Sequence, residues 1–257
     1  MDELIANKRV AYYSGCFANY YYPEVGEATL AIMRKNGVEV VVPAQVCCGL
    51  PMMSKGNAGE ALGNMRKNTA ALSDLVSRGY AVITTCSSCG LFLKQEYPRW
   101  LQTEEAKAVA QNLYHFSEYM LKLHAIGEMN TELARIEQTV FYHTPCHLRV
   151  QKIGQPTVDL LELIPGTKVV RISELCCGMG GAYGYEKANF SLSKEIAAKL
   201  YSEIKENPTD RIVTDCGGCR LQIRAGTDRS VDHPTIVLAE AYGLRSRGQP
   251  QPIPQSR

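Results

Sequence analysis

Short apolar runs alternate with longer amphipathic stretches along this chain. The runs "RVAYY", "VEVVV", "AVITT", "TVFYH", "TKVVRIS" and "RIVT" are four to eight residues long and rich in β-branched and aromatic side chains. Runs of that length and type suggest buried parallel strands. Between them the pattern turns helical. "GEALGNMRKNTAALSDLVSRG" puts Leu62, Met65, Leu72 and Val76 on roughly one face, with Gly79 at its end. "NFSLSKEIAAKLYSEIKENP" carries Leu192, Ile196, Leu200 and Ile204 at four-residue steps before Pro208. "PEVGEATLAIMRKNG" opens on Pro23 and closes on Gly37, the usual asymmetry of a short helix.

The apolar runs come in matching pairs. "RVAYYSGC" parallels "TVFYHTPC", "VEVVVPAQVCCG" parallels "TKVVRISELCCG", and "AVITTCSSC" parallels "RIVTDCGGC". The cysteines keep the same beat. Cys16, Cys86 and Cys89 recur as Cys146, Cys216 and Cys219, each 130 positions on (146−16, for example), and Cys47 and Cys48 recur as Cys176 and Cys177, 129 positions on (176−47). Each half therefore reads C, a gap, C-C-G, a gap, C-x-x-C, the mark of an internal duplication. The expected architecture is α/β: two pseudo-symmetric small parallel-sheet α/β domains. The first spans 1–100 and the second 137–245. A helix-rich connector, 101–136, joins them, with "NLYHFSEYMLKLHAIG" its clearest part, and 246–257 is read as a polar, disordered tail.

In open parallel sheets, ligand sites form at the carboxyl ends of the strands. Every cysteine follows such an end, so five thiols converge in each half: Cys16, Cys47, Cys48, Cys86 and Cys89, then Cys146, Cys176, Cys177, Cys216 and Cys219. The C-x-x-C units open helices, which favours thiolates. Gly49 and Gly178 follow the paired cysteines, where a turn of positive φ aims both sulfurs inward. Gly217 and Gly218 let backbone N–H groups approach sulfide. Thiolates choose iron–sulfur clusters or zinc. Zinc closes with four ligands and leaves one thiol of five idle.

Other residues carry two readings. His143 and His147 bracket Cys146 in "YHTPCHLR", as proton donors beside substrate or as hydrogen-bonding support for sulfur and backbone. His115, His124 and His233 have no cysteine neighbour and read as structural. Tyr20, Tyr21 and Tyr22 line a pocket or pack beside Cys16, and Asp215 tunes the potential or caps the helix, the cap being the preferred reading. "GMGGAYG" follows a cysteine pair and reads as wrapping around a cluster.

Composition narrows the remaining choices. The 257 residues are 45% hydrophobic with net charge +2, which implies no polyanionic partner and no nucleic acid. No apolar run is long enough to span a bilayer, and "MDELIANKRV" has no signal-peptide core, so a cytoplasmic protein is expected. Ten cysteines in a reducing compartment point to metal binding rather than disulfides.

The whole pattern resembles the duplicated cysteine-rich CCG domain. That domain occurs in the B subunit of heterodisulfide reductase, the C subunit of anaerobic glycerol-3-phosphate dehydrogenase, glycolate oxidase iron–sulfur subunits and lactate-utilisation proteins. "YHTPCH", "CCGMGGAYGYEKANF", "EYP" and "VTDC" are most similar to the glycerol-3-phosphate dehydrogenase subunit. The resemblance implies a noncubane [4Fe-4S] cluster in each five-cysteine set, two in all, with zinc in one half as the alternative. It implies electron transfer to a small-molecule disulfide, or to a quinone-linked acceptor in a respiratory dehydrogenase. A non-redox, zinc-held or thiol-held binding module is the remaining alternative. No C-x2-C-x2-C-x3-C-P run occurs. A separate ferredoxin-like subunit and a flavoprotein subunit are therefore expected as partners, with a location in the cytoplasm or at the inner membrane face through a partner.

Overall fold

A computed structural model describes residues 2–245. Two four-stranded sheets carry the duplication. β1 (Arg9–Tyr13), β2 (Glu39–Val41), β3 (Ala81–Thr84) and β4 (Leu113–His115) lie in the order β2-β1-β3-β4. β5 (Gln138–His143), β6 (Thr167–Ser173), β7 (Arg211–Thr214) and β8 (Val231–Asp232) lie in the order β6-β5-β7-β8. Every pairing is parallel. The expected pair of parallel-sheet α/β units is what forms.

The stretch 101–136 does more than connect. Its "LYH" becomes β4 and pairs with β3, so it completes the first sheet. β8 holds the equivalent place in the second. Each of these strands runs into a helix whose N-cap is a histidine: His115 before Phe116–Ala125 and His233 before Pro234–Ala241. In both, ring Nδ1 accepts an N–H of the first turn.

Side chains alternate across each strand. On β1, Val10 and Tyr12 face a core shared by both halves, while Ala11 and Tyr13 face the first half's own outer core. The shared core is closed by two helix pairs related by the duplication. Pro23–Lys35 packs against Pro234–Ala241, and Phe116–Ala125 against Pro156–Glu162. Ile32, Phe116, Leu161 and Val237 are among its fully enclosed side chains.

One helix face differs from the sequence expectation. In Phe190–Glu206 the buried residues are Ser193, Ala197, Leu200 and Ile204, whereas Leu192 and Ile196 are exposed. A step of four residues overshoots a full turn by about 40°, so a four-residue series winds off the buried face. The segment 246–257, read as a disordered tail, lies outside the described residues.

Candidate metal centre

Three strand tips in each half deliver its cysteines. In the first half, β1 leads through Ser14 and Gly15 to Cys16, β2 leads to Cys47 and Cys48, and Cys86 and Cys89 follow β3. Gly15 has φ +66, and a Cβ there would come 3.0 Å from Cys89 Sγ, so a side chain in this turn would be strained and would crowd the neighbouring thiol. All five cysteines line one cavity of about 210 Å3.

The paired cysteines sit on a loop fixed from behind. Tyr13 Oη donates to the carbonyl of Val46 at 2.6 Å. Asn68, buried on the helix Ala58–Ser77, accepts the Val46 N–H and donates to the Val46 carbonyl. Tyr97 Oη donates to the carbonyl of Cys48. Gly49 turns the chain at φ +97. Asn68 and Tyr97 were not legible as site residues, because they act through long-range hydrogen bonds on an apolar helix face.

The second half repeats the plan with different side chains. His143 occupies the place of Tyr13, and its Nε2–H donates to the carbonyl of Leu175 at 3.0 Å. Its Nδ1 accepts from Thr214 Oγ1 at 3.0 Å. With both nitrogens taken by the fold, and burial holding its pKa down to about 4, His143 is a neutral strut beneath Cys176. Gly178 has φ +82 and lies where a Cβ would strike the carbonyl oxygen of Ser193 at 2.0 Å. Its N–H donates to Cys176 Sγ at 3.3 Å. Cys177 Sγ and Cys219 Sγ are 3.0 Å apart. Cys146 is close enough to Cys177, Cys216 and Cys176 for their charges to affect its own ionisation.

The thiols differ in acidity. Hydrogen bonds from Cys47, Cys89 and the N–H of Leu50 hold Cys48 well below the ordinary thiol range. Cys219, the N–H groups of Cys219 and Gly218, and Ser88 bring Cys216 down to about 6. Burial pushes Cys16 and Cys146 up to about 11. Each half thus offers one ready thiolate, at which metal loading can begin.

The two sets meet across the molecule. Ser88, between Cys86 and Cys89, has its Oγ 2.7 Å from His147 Nδ1 and 4.0 Å from Cys216 Sγ. His147 in turn senses Cys48. The glycine-rich loop after Cys177 crosses over: Gly181, Ala182 and Tyr185 line the cavity of the first thiol set. Phe17 and Tyr21 complete that wall, Tyr22 is buried behind, and Tyr20 points to solvent. Gly217 is left bare for packing between halves, since a Cβ there would lie 2.3 Å from the Phe17 ring. Gly218 stands against Tyr185 Oη and donates its N–H to Cys216.

Asp215 is not the cap expected of it. Cys216 holds the N-cap position with no side-chain cap, and the Asp215 carboxylate turns into the shared core. There it accepts from Tyr142 and Thr157, with His115 Nε2 at 3.6 Å. Burial raises its pKa, while His115 and the two hydroxyls oppose that rise. His115 and His233 are structural, but each reaches the opposite half at the residue ahead of C-x-x-C. The signal that could have found them is their shared place before a helix.

The donor sets are soft and fit iron–sulfur clusters: in the first half five sulfurs line a space far larger than one ion, and in the second N–H donors point at Cys176 and Cys216. Among the described residues, no group of three or more Cys, His, Asp or Glu could hold a single metal ion as placed.

The cysteine-rich domain family abbreviated CCG matches this chain twice, over residues 10–94 and 140–224. The C subunit of the anaerobic glycerol-3-phosphate dehydrogenase of Escherichia coli K12 is 32% identical over 235 residues, 91% of this chain and 59% of the relative. The B subunit of the fumarate reductase (CoM/CoB) of Methanothermobacter marburgensis is 31% identical, across 86% of this chain and 42% of its own length. The chain thus spans roughly half of these two relatives. Lactate utilization protein A of Geobacillus kaustophilus is 28% identical, across 93% of this chain and 99% of its own.

Proposed function

The chain belongs to the CCG cysteine-rich domain family, and on that premise we propose that it is an iron–sulfur redox subunit of an oxidoreductase complex that delivers electrons to a small-molecule disulfide. Cys16, Cys47, Cys48, Cys86 and Cys89 hold one noncubane [4Fe-4S] cluster, and Cys146, Cys176, Cys177, Cys216 and Cys219 hold the other. When bound, the clusters each supply one electron. The observation that carries this reading is the junction at Ser88, whose hydroxyl lies within reach of both His147 and Cys216, so the thiol sets open on common ground.

The chain's own residues account for the protons. Splitting a disulfide takes two electrons and two protons and releases two thiols. His147, bracketed by Cys146 and Ser88, stands where one proton is needed. Burial lowers its pKa, against the opposing pull of the Cys48 charge, so the ring gives up a bound proton readily. Tyr21 and Tyr185, from opposite halves, stand at the cavity wall and restrict water. His143 keeps Leu175, and with it Cys176, in place.

Electrons reach the sites from a ferredoxin-like iron–sulfur subunit, itself served by a flavoprotein subunit. Among the described residues no helix is long and apolar enough to cross a membrane. Placement in the cytoplasm, or at the inner membrane face through a partner, completes the proposal. The likeness to the glycerol-3-phosphate dehydrogenase subunit favours a second reading, transfer from a glycerol-3-phosphate or 2-hydroxyacid dehydrogenase to quinone.

The deciding experiment supplies reduced viologen to the anaerobically reconstituted chain and offers it a panel of small disulfides and a soluble quinone. Oxidation by a disulfide with release of two thiols supports the first reading. Oxidation by the quinone alone establishes the second. A colourless protein that keeps zinc and oxidises nothing defeats both.

A further inference from the structure

The two thiol sets are close copies, but the residue ahead of each C-x-x-C pair is Thr85 in the first half and Asp215 in the second. The two occupy equivalent places. Tyr12 Oη lies 2.9 Å from Thr85 Oγ1, and Tyr142 Oη donates to Asp215 Oδ2. His233 Nε2 donates to the carbonyl of Thr85 at 2.9 Å, and His115 Nε2 faces Asp215 Oδ1 at 3.6 Å. What differs is charge.

Asp215 is fully buried. Thr157 donates to its Oδ1 and Tyr142 to its Oδ2. His115 Nδ1 accepts the N–H of Ser117, which leaves the ring proton on Nε2, facing Oδ1. Donors on both oxygens suit a group that only accepts, the ionised carboxylate. A buried charge on the residue next to the ligand Cys216 acts through a poorly screening interior. Arg220, next after Cys219, is buried too. Its guanidinium lies 3.8 Å over the Tyr22 ring and 3.5 Å from Glu24, and it shares a small cavity with Cys86. Glu24 offsets that charge.

We propose that Asp215 makes the two cluster sites unequal, so that the set ending in Cys216 and Cys219 is the harder to reduce and an electron shared by the two halves rests on the set of Cys16. This rests on reading both thiol sets as cluster sites. Adding an electron to the second set puts negative charge beside a carboxylate, whereas adding it to the first puts that charge beside a neutral threonine. In passing between them, one electron leaves one site and arrives at the other, with no bond or proton changed. Asp215 is a positioning residue here, acting through the field it imposes on the thiolates.

The test is an anaerobic potentiometric titration with dithionite, read by electron paramagnetic resonance, on the wild type, Asp215→Asn and Thr85→Asp, with iron and sulfide counted on the same samples. The wild type shows two separate one-electron waves. In Asp215→Asn the lower wave moves up towards the upper one, which stays in place. In Thr85→Asp the upper wave moves down. Full loading with both waves unmoved in Asp215→Asn, or with the two shifting together, overturns the role of Asp215. Should Asp215→Asn fail to fold, an unmoved upper wave in Thr85→Asp overturns it instead. A wild type that takes up no iron overturns the cluster reading and this proposal together.

Discussion

Ser88 Oγ lies 2.7 Å from His147 Nδ1, a contact between a residue of the first thiol set and the neighbour of the second set's leading cysteine. The hydroxyl also comes to 4.0 Å of Cys216 Sγ. Because the contact crosses between halves, it exists only while they stay docked. It places the one partly buried histidine beside a ligand cysteine at the point where the two sets approach.

Replacing that histidine separates proton delivery from metal binding. His147→Ala is expected to keep its iron and lower disulfide turnover on the order of 100-fold, the usual scale for a lost proton donor. Ser88→Ala should cost less and move the pH profile. Iron lost in step with turnover would make His147 a structural residue only.

The two positive-φ glycines Gly178 and Gly37 differ in what surrounds them. A Cβ at Gly178 would meet a carbonyl oxygen at 2.0 Å, while one at Gly37 meets nothing within 4 Å. Gly37→Ala should cost about 1 kcal/mol, from backbone strain alone. Gly178→Ala adds a clash with the helix Phe190–Glu206 and should cost at least about 3 kcal/mol. Thermal or denaturant unfolding reads both, and equal costs would refute the close approach.

Gly217 and Phe17 form a pair across the halves. Gly217→Ala should destabilise the docked molecule by about 2 kcal/mol, and Phe17→Ala added to it should recover part of that loss. Strict additivity in the double-mutant cycle would mean that the ring does not pack on this glycine.

Acid should weaken the fold through His143. Folded His143 stays neutral down to about 4, whereas in the unfolded chain it binds its proton from 6.5. Between those values the unfolded state carries the extra proton, so stability rises with pH. The contribution is present above 6.5 and is lost as pH falls towards 4, amounting to about 3 kcal/mol. His115, His147 and His233 are lowered too and leave a residual slope. His143→Gln should flatten the dependence, and parallel curves for the two proteins would contradict it.

The duplication and the convergence of cysteines were legible because both depend on spacing and on apolar runs of four or more residues. β4 and β8 were not, being three and two residues long, too short to display an alternating pattern. Leu192 and Ile196 read as buried by their four-residue spacing, and the helix turns them outward. Asp215 sits where a cap belongs, yet its partners Tyr142 and Thr157 are 73 and 58 residues away. No local pattern reports contacts of that range. Likewise, nothing in "GMGGAYG" tells that it follows one thiol set and walls the cavity of the other.

The central claim is that each five-thiol set assembles iron with sulfide. The direct measurement is iron and acid-labile sulfide per chain, after anaerobic reconstitution, in the wild type, Cys48→Ala and Cys216→Ala. The account expects about eight irons with matching sulfide in the wild type, and about four, with a different resonance signal surviving, in each variant. A wild type holding less than one cluster, or two variants that lose the same signal, would contradict it.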